Sequence, residues 1–381
     1  MGVMANAIDT AVSSAVKNLK SSSKKLGFPF ERSLEAYAFA RSAVFQTESF
    51  LGPAIEFVLH RRRPQLPTDD PQMFKAARAA MVSLIKNDVA NITSGLYPID
   101  VLKPENPLKH FGRLPSMFRE VIALSKRREN KTAHQFSDEA KELLNGLPEY
   151  YQRNFHFQGD GYLSDKSADL YEHQVEVLFA GTADAMRRLI IAPLKKKFGE
   201  THDGTGLTFL EVAAGTGRAT RFVRLAFPKA KIVLVDLSSP YLRRARAELA
   251  QFDRHDFVEA NASDLPFKNE TFDAVYSVFL FHELPLNERR AVLAEGQRVL
   301  RPGGFHGFVD SLQLGDTPEF DHALEQFPIS FHEPFYKNYI QSPMQAELER
   351  AGVRVENMTT GFFSKCAWGE KTTVVPKSET I

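Results

Sequence analysis

Hydrophobic positions change their period near residue 150. Before it, apolar residues recur at helical spacing. The stretch 31–60 carries Leu34, Tyr37, Ala38, Phe45 and Leu51 on such a stripe, and Pro53 predicts the start of a new helix. The stretch 70–98 has a helix start at Asp70-Pro71 and a stop at Gly95 and Pro98. Pro104, Pro107 and Pro115 mark a connecting loop, and residues 115–130 read as a further short helix. After residue 150, a long helical stretch over 167–198, broken at Gly181, precedes alternating elements. Strands are predicted at 207–212, 230–238, 255–260, 271–281 and 303–312, with helices at 217–227, 240–252 and 287–300. Alternation of this kind predicts an α/β fold: a doubly wound, mostly parallel sheet with helices on both faces. Two units follow, a helical N-terminal domain over 1–150 and an α/β domain over 151–381.

The chain has 381 residues, 43% hydrophobic and 25% charged, values of an ordinary globular protein. Its net charge of +1 lacks the basic surplus that neutralises phosphates, so no nucleic-acid partner is expected. The basic runs at 61–64 and 126–128 read as solvated helix ends. The lone cysteine, Cys366, excludes an internal disulfide and a thiolate metal cluster; it lies in a predicted strand and reads as packing. No apolar run reaches membrane-spanning length and no secretory signal is evident, so a cytoplasmic location is expected. Ile8, Val12, Ala15 and Leu19 form an amphipathic stripe before a basic tail, read as a helix docked on the chain or lying on a membrane surface.

The stretch "LTFLEVAAGTGRATRF", Leu207–Phe222, holds the first candidate chemistry. Gly215 and Gly217 fall where the first strand ends and a helix begins, a place where ligands meet the carboxyl edge of a parallel sheet. The dinucleotide pattern G-x-G-x-x-G is incomplete because Thr220 holds its third position, and the lysine of a phosphate-binding loop is absent. Glu211 would repel a pyrophosphate and suits a cationic ligand better. Asp236 ends the second strand, where a carboxylate can accept from ribose hydroxyls. Asn261 can accept from an adenine amino group, and the Ala262 amide can donate to a ring nitrogen.

The segments "EVAAGTGR", "VDLS", "NASDLPFKNETFDAV" and "RVLRPGG" together resemble the class I S-adenosylmethionine-dependent methyltransferases. The closest likeness is to the C-methyltransferases of ubiquinone and menaquinone biosynthesis. It covers residues 160–310 well and leaves 1–150 unmatched. The resemblance implies a Rossmann-like sheet of seven strands and S-adenosyl-L-methionine as cofactor, leaving as S-adenosyl-L-homocysteine. It implies that Glu211, Ala213, Gly215, Thr216 and Gly217 form the methionine-end loop. Asp236 and Leu237 would hold the ribose, Asn261 and Ala262 the adenine. Val278 would line the sulfonium side, and Tyr171 would cover the cofactor. Ala213 stands for the first glycine of the usual pattern, and "SVFLF" lacks the Asn-Pro-Pro-aromatic signature of enzymes that methylate exocyclic amines.

The expected activity is in-line methyl transfer to a small, aromatic or enolic, apolar acceptor. His282 follows the fourth strand and reads either as a base or as a cap of its loop. Asp310 ends the fifth strand. His332, Glu333 and Tyr336 come from the segment after it, which reads equally as a substrate lid or as a helix start. No metal site is expected, since no H-x-x-x-H or cysteine cluster occurs. The helical half would close over the acceptor or build a homodimer. The rival reading is a non-catalytic binding or assembly protein that keeps the fold.

Overall fold

The computed structural model describes residues 30–50, 70–103, 107–130, 132, 135–156 and 159–372. The amphipathic stripe before residue 20, the basic run at 61–64, Pro53 and Pro104 lie outside these residues.

Seven strands form one sheet: β1 (Thr208–Val212), β2 (Lys231–Asp236), β3 (His255–Glu259), β4 (Phe272–Val278), β5 (Leu300–Ser311), β6 (Val353–Gly361) and β7 (Ser364–Lys371). Their order is β3-β2-β1-β4-β5-β7-β6, and only β7 runs against the rest. After β3 the chain crosses to the other side of β1. The switch point therefore lies beyond the carboxyl ends of β1 and β4, where an open α/β sheet leaves a crevice.

Residue parity divides the core. Leu210, Val212, Val233, Val235, Val275 and Phe308 pack on one face, with Val292 and Leu293 of helix α7 (Leu286–Val299; α1–α6 are given below). Phe209, Ile232, Leu234, Ala274 and Phe305 pack on the other, with α5 (Arg218–Ala226) and α6 (Ser239–Glu248). Cys366 is buried in this second layer, and burial pushes its thiol up to about 12, consistent with packing.

Three long helices precede the α/β unit: α1 (Phe30–Ser49), α2 (Pro71–Thr93) and α3 (Pro107–Glu129). Asp70 caps α2 by accepting from the Gln72 amide at 2.8 Å, with Pro71 at the first helical position. Helix α3 begins at Pro107 and runs through Pro115, where a loop was expected. A proline inside a helix removes one backbone bond, at a cost of about 3 kcal/mol, and the flanking turns sustain the helix here. The predicted stretch 167–198 divides as expected. Helix α4 (Asp165–Leu178) ends before Ala180 and Gly181, both at positive φ. A Cβ at Gly181 would lie 2.9 Å from the Ser42 Cα, so the glycine also admits α1.

The helices share the core of the sheet. Leu34, Val89 and Ile92 belong to the same buried layer as Phe222 and Phe305. Asp88 on α2 receives Arg188 in a two-pronged pair, Nε to Oδ1 at 2.8 Å and Nη2 to Oδ2 at 2.6 Å, and the Tyr97 hydroxyl donates to Oδ1 at 2.7 Å. Removing one partner of a buried pair strands the other charge. Arg188→Met is expected to lower stability by about 3–5 kcal/mol. In urea, far-ultraviolet dichroism and tryptophan fluorescence should report one coincident transition; two separated transitions would show that the helices fold independently.

Candidate active site

A cavity continuous with solvent opens at the switch point. Its floor is the loop after β1. Ala213, Gly215 and Gly217 all have positive φ, at 54°, 54° and 74°. A Cβ at Gly215 would find Tyr241 Cδ1 no closer than 3.9 Å, so its space opens to the cavity. At Gly217 a Cβ would lie 3.1 Å from that of Ala245, so this glycine brings α5 against α6. Gly217 does not line the cavity, whereas Tyr171, Glu211, Ala213, Gly215, Thr216, Asp236, Leu237, Ala262 and Val278 do. Asn261 is also absent from the lining. Its Oδ1 accepts from the Ser263 amide and the Tyr150 hydroxyl, both at 3.2 Å, which fixes the turn that presents Ala262.

Two carboxyls border this space, Glu211 buried and Asp236 half-buried. Asp236 accepts from the Gly215 amide at 2.7 Å and the Ser238 amide at 2.8 Å, locking the glycine loop to the end of β2. Glu211 accepts from Tyr276 at 3.0 Å and from Thr220, both at Oε2. Thr220, which spoils the dinucleotide pattern, is thus the hydroxyl that orients Glu211. Burial raises both groups against these hydrogen bonds, Glu211 to about 7 and Asp236 to about 6. A cation or hydroxyl donors entering the cavity would relieve that penalty. The site therefore fits a ligand with an ammonium group and a ribose, and not a pyrophosphate.

Aromatic rings form the opposite wall. Tyr150, Tyr151, Phe155, Tyr162, Tyr171 and Tyr241 line it, with Tyr162 edge-on to both Tyr171 and Tyr241. Only Tyr171 among them was expected. The signal was present in "EYYQRNFHFQGDGY", an aromatic-rich stretch without helical or strand period. Glu172, next to Tyr171 on α4, accepts from Thr216 of the loop and pairs with Arg187 at 2.9 Å.

A second chamber adjoins the first and shares Tyr171, Phe279 and Glu283 with it. Val175, Phe179, Phe327 and Phe363 give it apolar walls, while His156, His282, Glu283, Ser311, Glu333 and Tyr336 supply polar groups. His282 Nδ1 lies 2.6 Å from Asp310 Oδ1. Asp310 Oδ2 accepts from the amides of Leu280 and Phe281, at 3.1 and 2.6 Å. Asp310 is fully buried and does not line the chamber, so it positions the imidazole. Burial would lower His282, but Asp310 outweighs it and holds the ring at about 9. His156 sits between Glu333, 2.9 Å from Nδ1, and Glu283, 3.4 Å from Nε2. Burial opposes its charge as well, yet the two carboxylates push it up to about 10. The Tyr336 hydroxyl bonds Ser311 Oγ at 2.5 Å.

His332 is outside this chamber. It takes a left-handed conformation, φ 55°, at the end of α8 (Asp321–Phe331), and its carbonyl accepts from the His156 amide at 3.3 Å. The turn brings Glu333 inward instead. The described residues of 30–130 line neither the cavity nor the chamber. Tyr150, Tyr151, Phe155 and Tyr162 line the cavity, and His156 the chamber, in their place.

Residues 209–304 match the family described as a methyltransferase domain. The chain is 40% identical to the ubiquinone/menaquinone biosynthesis C-methyltransferase UbiE of Hahella chejuensis over 103 residues, 26% of this chain and 41% of that protein. It is 35% identical to the fatty-acid O-methyltransferase of Mycolicibacterium smegmatis over 129 residues, 33% of this chain and 45% of that protein. The UbiE of Escherichia fergusonii is 32% identical over 162 residues, 40% of this chain and 63% of that protein. The chain thus spans 41% to 63% of the length of these curated relatives. Their names include a carbon and an oxygen methylase, so similarity does not choose the acceptor atom.

The raised carboxyl at Glu211 makes a pH prediction. The folded state holds this proton more tightly than the unfolded chain, so Glu211 costs stability as pH rises from about 4.5 through 7. Glu211→Gln removes that cost. Relative to wild type the variant should gain on the order of 1–3 kcal/mol between pH 4.5 and 8, measured by urea unfolding. A constant difference across that range would refute the assignment. Residues 209–304 thus match a methyltransferase domain, and the sheet order and glycine loop that carry them are similar to those that the likeness to class I S-adenosylmethionine-dependent methyltransferases implies.

Proposed function

We propose that the protein methylates a small apolar acceptor bearing an acidic hydroxyl, a phenol or an enol, with S-adenosyl-L-methionine as donor. The observation that carries this reading is the second chamber. It abuts the cofactor cavity, it is apolar on most sides, and it places the His282–Asp310 pair beside Glu283 and Glu333.

When bound, the cofactor supplies a methyl group on a sulfonium, open to attack in line with the carbon–sulfur bond. Asp236 and Leu237 would hold its ribose, Glu211 and the Ala213–Thr216 turn its methionine end, and Ala262 its adenine. Tyr171 and Val278 would flank the reacting carbon. With its pKa raised to about 9, His282 is an imidazolium at neutral pH. It therefore donates to an acceptor oxygen and stabilises the phenolate or enolate, and it does not start as the base. Glu283 or Glu333 would take the hydroxyl proton. The resulting anion can react at carbon or at oxygen.

The rival reading, a non-catalytic binding protein, gains if the helical half fills the acceptor space; no described residue of 30–130 lines the chamber. The helical half would instead buttress α4. No described helix is long and apolar enough to cross a membrane.

Calorimetric titration with S-adenosylhomocysteine should show saturable binding. Asp236→Ala should weaken it about ten- to a hundredfold, the worth of hydrogen bonds to a charged group. Absence of binding to wild type would overturn the cofactor assignment. Against a panel of quinols, phenols and enols, release of S-adenosylhomocysteine should fall about a hundredfold in Asp310→Asn while cofactor affinity is unchanged. An equal loss in both would mean that Asp310 serves the fold alone.

A further inference from the structure

Outside the lining of both cavities of the active site, three side chains from three different helices converge. Glu48 lies on α1, His110 on α3 and His173 on α4. His110 Nε2 is 2.7 Å from Glu48 Oε1, and His173 Nε2 is 2.7 Å from Glu48 Oε2. One ligand atom from each falls within 4.8 Å of the others. The two imidazoles stack with centroids 4.2 Å apart and planes at 23°. Their side chains are 15% and 1% exposed, and that of Glu48 is 10% exposed.

We propose that Glu48, His110 and His173 form a binding site for a zinc-type divalent ion. Two imidazole nitrogens and one carboxylate are the donors such an ion prefers, and three protein ligands leave a position for water. Both imidazoles turn Nε2 toward the same carboxylate, so two nitrogens and one oxygen lie within reach of a single ion. An open cavity bordered by His110, His173, Phe45 and Phe111 gives water and ions a route in. Without an ion, each histidine donates to one oxygen of Glu48, and the same geometry is a hydrogen-bonded trio. For an ion to take Nε2, a neutral ring shifts its proton to Nδ1, and a doubly protonated ring keeps the Nδ1 proton and releases the other to solvent.

The affinity should be moderate. A zinc-ligating histidine usually donates its other N–H to a fixed acceptor, and loss of that partner costs about ten- to a hundredfold. The Nδ1 of His173 is buried with no hydrogen-bond partner among the described residues. The position also has a consequence. His173 follows Tyr171 and Glu172, which face the cofactor cavity and the glycine loop. An ion here would pin α1 and α3 to the helix that covers the cofactor, whatever acceptor the enzyme takes.

The test uses the full chain, stripped with a chelator and dialysed. Zinc chloride titrated calorimetrically should bind at one ion per chain and raise the melting temperature. Cobalt(II) should give a visible absorption band of tetrahedral type. Glu48→Gln combined with His110→Gln should abolish the stoichiometric binding and the band while the chain stays folded by circular dichroism. No stoichiometric binding in wild type, or binding unchanged in the double variant, would overturn the site. Should the variant fail to fold, the wild-type cobalt spectrum decides: a tetrahedral band supports the site, and an octahedral or absent one rejects it. None of these readouts depends on methyl transfer.

Discussion

Asp184 is a carboxylate buried between three guanidiniums. Arg218 reaches it with Nη2 at 2.6 Å and Nε at 3.0 Å, Arg187 at 3.3 Å and Arg41 at 3.3 Å. Burial alone would raise its pKa, but these cations hold it well below the ordinary carboxylate range. Each arginine belongs to a different part of the molecule. Arg218 begins the helix after the glycine loop, Arg187 reaches Glu172 beside the cofactor cavity, and Arg41 brings in helix α1. Glu176 on α4 closes the network, accepting the Asp184 amide at 3.0 Å and pairing with Arg41 at 2.9 Å. Desolvating so many charges is expensive, and such a network repays it through geometry more than through net stability. It fixes the distance between the glycine loop, the covering helix and the helical half.

The same economy appears at the two carboxyls of the cofactor cavity. Asp236 and Glu211 are held by backbone amides and hydroxyls rather than by arginine or lysine. Burial then lifts their pKa values, and the field at the cavity is left for an incoming cation. The chamber beside it has the opposite arrangement: two histidines stay charged because carboxylates surround them. On the proposed function, acids raised by burial beside the donor and imidazolium groups beside the acceptor would together suit transfer of a methyl group from a sulfonium to an oxyanion-bearing acceptor.

The helical half stands in a different relation to the chemistry from a lid. Its described helices share the core of the sheet through Leu34, Val89 and Ile92, and grip α4 through Arg41 and the Glu48 cluster. The aromatic wall of the cavity comes instead from Tyr150, Tyr151, Phe155 and Tyr162.

The alternation of apolar runs determined the sheet, its crossovers and the glycine loop, because period and turn residues are local properties of the chain. That is why Glu211, Gly215 and Asp236 could be placed at strand ends from the sequence. The proline at 115 misled for the same reason: a local helix-breaking signal was overridden by the turns on either side. Only the tertiary structure decided which polar residues meet. His332 and Glu333 are neighbours in sequence, and a single left-handed residue sends one outside and the other into the chamber. Thr220 reads as a spoiled motif until its hydroxyl is seen on Glu211. The trio of Glu48, His110 and His173 spans 125 positions of chain. Spacing along the sequence carries no trace of it, because the convergence is made by three helices packing side by side.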